Sequence, residues 1–198
     1  MGLHDVIAGG HQGQCFALLA RRFMIRESQA AVAVECLLPA LATPFEAWVM
    51  SPGELIAFLQ TLSRGGYEQA LSHATIFNNP FERDRGQQLI SQFRAAREID
   101  GADLARAADA SGLSYRVLLQ MLPFVALLMI AALRNTLEQP ARDILARRMG
   151  KAHGRTADPF ADLAELVSAE TKGDRGGLFA GMLMGLLGRR QTEAEAIV

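Results

Sequence analysis

The sequence predicts an all-α, multihelical protein, and three observations predict it. No segment keeps the two-residue alternation of apolar and polar side chains that marks a half-buried strand. β-branched residues are thinly spread among alanine, leucine, arginine and glutamine. Apolar residues recur instead at spacings of three and four, with helix start and stop signals between the rows. At 198 residues, half of them apolar, the chain is long enough for one domain of roughly 150 residues plus an appendage. Such a domain needs neither disulfides nor metal to fold.

The first 14 residues, containing Gly9-Gly10-His11-Gln12-Gly13, read as a flexible lead-in to a domain over 15–148. Its first helix begins at Phe16 and reaches Met24. Ala30, Val34, Leu37, Leu38 and Leu41 mark a second, which Pro39 kinks or ends. Ser51-Pro52-Gly53-Glu54 is a helix start, with a serine N-cap, proline at the first helical position and glutamate three residues on. Leu55, Phe58, Leu59 and Leu62 form its apolar face, and Gly65-Gly66 stops it. A short amphipathic piece from Tyr67 to His73 follows, and Asn78-Asn79-Pro80 breaks the chain again. Leu89, Ile90 and Phe93 are then the buried side of a helix rich in arginine and glutamine.

Asp100 caps the next helix, with Gly112 just past its end. Ser114 starts a long apolar helix to about Leu133, interrupted at Pro123. A charged amphipathic helix follows Pro140 and reaches Met149, with Ile144 and Leu145 inward. Residues 149–175 read as a linker carrying one short helix near 160–166, and 176–198 as an apolar tail. The domain also carries a weak internal repeat. Phe23-Met24-Ile25 and the helix ending Leu37-Leu38-Pro39 match Ser111-Gly112-Leu113 and the helix reaching Met121-Leu122-Pro123. The offset is 88 residues at Ile25 and Leu113 and 84 at the prolines, one helical turn less. This describes a duplicated helix-turn-helix pair.

Several phrases in order resemble a bacterial family of unknown function, the YidB-like proteins (domain of unknown function 937). They are Gly9-Gly10 with Gln12-Gly13, Leu19-Ala20-Arg21-Arg22-Phe23, Leu37-Leu38-Pro39-Ala40-Leu41, Gly86 with Leu89-Ile90 and Phe93, and Leu119-Gln120-Met121-Leu122-Pro123. The resemblance covers residues 1–135, and a Gly/Leu/Met tail is similar to tails in that family. It implies a multihelical domain and brings no established catalytic residues. Gly86-Gln87-Gln88 departs from the more usual Gly-Asn, and the Gly-Ser pair expected after Phe93 is missing.

Composition limits function. Twenty basic residues face 21 acidic ones, so the chain is not a globally basic nucleic-acid binder, and its apolar half excludes full disorder. Only Lys151 and Lys172 are lysine; the arginines lie scattered among acids, which reads as coding bias. Cys15 and Cys36 form no CxxC pair and read as buried thiols in a reducing compartment. The start, Met-Gly-Leu-His-Asp, shows no signal-peptide pattern, so a cytoplasmic location is expected. Val117 to Leu133 is an uncharged run of 17 residues, at the lower edge of a membrane span. Gln120 and Pro123 within it favour a central buried helix.

No nucleophile elbow, phosphate loop, HExxH or dinucleotide fingerprint is present, so no catalytic residue and no cofactor is expected. The glycine-rich start lacks the lysine and preceding strand of a phosphate loop. His4, His11, Cys15 and Cys36 do not supply two close ligand pairs, so no metal is expected, although His11 and Cys15 share a face if that stretch is helical. His73 and His153 read as solvated. Glu35, inside an apolar row, reads as an edge residue paired with an arginine, or else as a partly buried carboxylate with a raised pKa.

Counting Leu104 as position one, residues 101–122 fit a DNA-binding helix-turn-helix, with Gly112 at nine and Leu118 at fifteen. After Arg116, however, no cation follows until Arg134, so a structural corner is favoured over nucleic-acid binding. The tail is harder to explain as core. Gly177, Gly181 and Gly185 recur every four residues, with Leu178, Phe179, Met182, Leu183 and Leu186 around them. Glycine costs about 1 kcal/mol per residue against alanine in a helix, so this segment needs a contact surface: its own domain, a protein partner or second copy, or a membrane interface. The expected function is a non-enzymatic interaction or self-assembly module. A DNA-binding regulator using 101–122 is the alternative, and an enzyme of another type stands third.

Overall fold

A computed structural model describes residues 2–150 and 157–172, and every regular element among them is helical. In order these are α1 (Leu3–Gly13), α2 (Cys15–Phe23), α3 (Glu27–Val49), α4 (Pro52–Arg64), the 3-10 helices η1 (Tyr67–Leu71) and η2 (Ala74–Asn78), α5 (Pro80–Ala96), α6 (Gly101–Ser111), α7 (Tyr115–Met149) and α8 (Pro159–Lys172). The all-α expectation holds. The chain divides into two compact units. Among the described residues, one unit comprises Leu3–Trp48 with Tyr67–Asn135, the other Val49–Gly66 with the residues from Thr136 to Lys172.

Local signals set most helix ends. Ser51 Oγ accepts from the Glu54 backbone N–H at 3.2 Å, as the capping pattern requires, and Pro52 opens α4. Asn79 accepts from Phe81 N–H at the start of α5, and Asp100 from Ala102 N–H at the start of α6. Gly112 ends α6 in the left-handed region with φ 66°.

Three expectations change. The lead-in is helical over Leu3–Gly13, with a break inside: Gly10 is extended and His11 and Gln12 are left-handed, at φ 53° and 59°. Ile7 is fully buried, which gives this segment a reason to order. Prolines expected to interrupt helices do not end them. α3 runs through Pro39 and Pro44, and α7 runs as one helix through Pro123 and Pro140 to Met149. A proline inside a helix costs about 3 kcal/mol. Leu37, Leu38 and Leu41 flank Pro39 and are buried, and each such side chain returns roughly 1.5–3 kcal/mol when burial is complete. The helix expected near 160–166 extends over Pro159–Lys172.

In the first unit, every residue from Met121 to Leu133 is buried, so this part of α7 is the central helix the uncharged run predicted. Gly86 of α5 meets it at Pro123: a Cβ on Gly86 would collide with the Pro123 backbone carbonyl. Phe45, Trp48 and Phe93 form an aromatic cluster with ring centroids 5.6–6.2 Å apart. In the second unit α4 packs along α8. Asp158 caps α8 through Phe160 and Ala161 N–H and accepts from Ser63 Oγ at 2.5 Å. α3 and α7 are each long and apolar enough to cross a membrane by length and composition, and 78% of the most apolar stretch of α7 is buried inside the protein.

Candidate interaction site

The internal repeat becomes two matching helical corners in the first unit. α2 ends at Met24, whose N–H donates to the Ala20 carbonyl; α6 ends at Gly112, whose N–H donates to Ala108. Both cap residues are left-handed, at φ 54° and 66°, and both pairs differ by 88 in number. One turn on, Ala30 N–H donates to Arg26 and Leu118 N–H to Ser114, again 88 apart. The duplication read from sequence therefore extends to the left-handed cap and two backbone hydrogen bonds of each turn.

A single amide joins the corners. Gln29 Nε2 donates to the Ser111 carbonyl at 3.1 Å, and Gln29 Oε1 accepts from Arg26 N–H at 3.2 Å. Phe23 packs edge-on to Phe124 of α7 with centroids 5.8 Å apart, which brings the end of α2 onto that helix. Around this junction lie large apolar side chains in water: Met24 is 94% exposed, Tyr115 48% and Leu119 45%. Arg21, Arg22, Arg26 and Arg116 are exposed with them, and none makes an ion pair among the described residues. The Arg22 guanidinium stands 6.0 Å from the Phe23 ring centre. Glu27 and Asp109 are exposed acids on the same segments.

The corner at α6 and α7 has the helix-turn-helix path expected for residues 101–122. On the first turns of α7, Tyr115, Arg116, Leu119 and Gln120 face water, while Leu118 and Met121 are buried. Arg116 is the one cation on that face, as the sequence indicated.

Other expected positions fall differently. Gly177, Leu178, Phe179, Gly181, Met182, Leu183, Gly185 and Leu186 lie outside the described residues, as does His153. His73 is exposed. Glu35 is exposed, outside the buried row of α3, and pairs with no arginine among the described residues. His11 and Cys15 share no helix face, because the left-handed residues intervene. Among the described residues no group of His, Cys, Asp or Glu could hold a metal ion.

Sequence reasoning weighed His11 as a metal ligand and missed its burial. Its side chain is buried, Nε2 lies 3.0 Å from the Ala70 carbonyl, Nδ1 has no hydrogen-bond partner, and the ring packs on Phe77 at 5.4 Å. Burial lowers its pKa below 6.5; hydrogen bonds to the backbone of Ala70 and Ser72 oppose this, and His73 adds to it. Burial pushes the Cys15 thiol up to about 12, so it is an inert core group. The Cys36 thiol is raised by burial and then by Glu35, against a weaker opposing effect of Arg106. In the second unit, a recess between Leu59, Leu137, Ile144, Phe160 and Leu163 holds about 10 Å³, far below the roughly 300 Å³ of a small ligand pocket.

No model of a known protein family matches this chain, and neither a curated protein nor a solved structure does.

Proposed function

We propose that the protein is a non-enzymatic interaction or self-assembly module. Met24 carries the reading. A methionine in the left-handed region costs roughly 1–2 kcal/mol, and here it leaves its side chain 94% exposed. The chain's own stability favours glycine at such a position, and glycine stands at the matching corner. A large apolar side chain held out at that cost fits a contact with another molecule. The glycine-striped segment around Gly177–Leu186 adds sequence support for a second contact, with its own domain, a protein partner, another copy or a membrane interface. The resemblance to the YidB-like proteins belongs to the same proposal, supported by the order of the shared phrases over residues 1–135.

Light scattering on the full chain and on a chain ending at Asp174 tests this, together with capture of partners by each. A fall in mass or a changed set of partners is expected for the shorter chain. An unchanged mass with unchanged partners, and no change on Met24→Gly in the full chain, overturns the reading. The DNA-binding alternative draws support from the formed corner with exposed Arg116. It predicts salt-sensitive duplex binding lost on Arg116→Ala, and no shift of a duplex at low salt removes it.

A further inference from the structure

We infer that the joined corners of α2–α3 and α6–α7 bind an acidic, amphipathic helical segment of a protein partner. This rests on the interaction reading above and adds the chemistry of the partner. Gln29 ties the two corners through Arg26 N–H and the Ser111 carbonyl, so the two turns lie side by side. The residues flanking these turns combine exposed apolar side chains (Met24, Tyr115, Leu119) with four arginines, Arg21, Arg22, Arg26 and Arg116, without ion pairs among the described residues. Arg85 pairs with Glu82, Arg94 with Glu98, Arg106 with Asp103 and Arg142 with Glu138, while Arg64, Arg83 and Arg97 are exposed without ion pairs among the described residues, as the corner arginines are. The two corner segments, 21–29 and 109–120, carry four arginines and two exposed acids, Glu27 and Asp109, and neither acid is paired with them.

Charge complementarity therefore selects an anionic partner, and the apolar residues narrow the class. A phosphodiester backbone gains nothing from Met24 or Leu119, whereas an amphipathic helix presents carboxylates beside leucines at i, i+3 and i+4 and satisfies both. A second copy pairing through the same face would set arginine against arginine, so that symmetric arrangement is disfavoured. Met24 is unbranched and flexible, which suits packing against a row of leucines.

The test uses the full chain and a fluorescently labelled model peptide of about 20 residues with leucine on one helical face and glutamate on the rest. Two control peptides carry glutamine or lysine in place of every glutamate. Fluorescence anisotropy is expected to show binding of the glutamate peptide that weakens with salt, and none of the lysine peptide. Arg26→Glu with Arg116→Glu is expected to weaken binding at least tenfold. Met24→Gly is expected to weaken it several-fold while the thermal midpoint does not fall, which separates lost contact from unfolding. Equal binding of all three peptides, or no binding of the glutamate peptide at millimolar concentration by the folded protein, overturns the inference. So does displacement of that peptide by low concentrations of duplex DNA, which assigns the surface to nucleic acid. A change of mass on truncation at Asp174 without peptide binding leaves the interaction reading standing and removes this one alone.

Discussion

The two corners share a backbone and differ in what they place on it. Gly112 occupies the left-handed position without strain and without a side chain, and a Cβ there would meet nothing nearer than Gln29 Nε2 at 3.8 Å. Met24 occupies the same position with strain and with a side chain in water. The helices that follow differ in the opposite sense. Pro39 faces solvent, while Pro123 is buried beneath Gly86. One copy of the repeat thus leads into the packed centre of its unit, and the other carries the exposed methionine. A duplicated motif lets stability and contact with other molecules be divided between copies.

The sharpest way to break the second corner is Gly86→Ala. The added methyl collides with backbone rather than with a movable side chain, so a loss of about 3 kcal/mol or more is expected in urea unfolding. A loss under about 1 kcal/mol means that α5 can move off α7. Gly112→Ala is next: alanine at φ 66° is strained whatever the space, and about 1–2 kcal/mol of destabilisation is expected by the same measurement. Met24→Gly should run the other way. Relief of strain outweighs the added freedom of the unfolded chain, for a gain of about 0.5 kcal/mol; a clear loss means that Met24 is held by contacts in the free protein.

The gentlest effect concerns α1, which precedes the first corner. Folded His11 takes up a proton less readily than unfolded His11, because burial lowers its pKa below 6.5. Its contribution to stability is therefore complete above pH 6.5. It is lost as pH falls from there through the lower folded value, and levels off beneath it. Thermal midpoints followed across that window should slope downward in acid, and His11→Asn, which tolerates the left-handed backbone, should flatten the slope. A slope untouched by the substitution assigns the acid sensitivity elsewhere.

Much of this was legible residue by residue. Ser51, Asp100, Gly112 and the 88-residue offset announced their turns, because capping and left-handed closure are chemistry within four or five residues. The uncharged run from Val117 announced the central helix, because a helix apolar on every side has to be buried on every side. The prolines were misread as interruptions, since the rule weighs one missing hydrogen bond and not the leucines around it. The burial of His11 gave no signal: a histidine after two glycines reads as polar loop, and Ala70 and Phe77, about 60 residues away in sequence, help make it a buried group.

What the sequence determined alone was the helical class, the helix ends marked at Ser51, Asn79, Asp100 and Gly112, the repeat and the absence of a recognisable catalytic motif, all properties of local periodicity and composition. The tertiary structure decided which corner carries the open methionine, which proline lies under a glycine, which arginines go without acids, and that the chain divides into two units. Those outcomes depend on contacts between segments distant in sequence, where burial outweighs the local preferences that a linear reading can weigh.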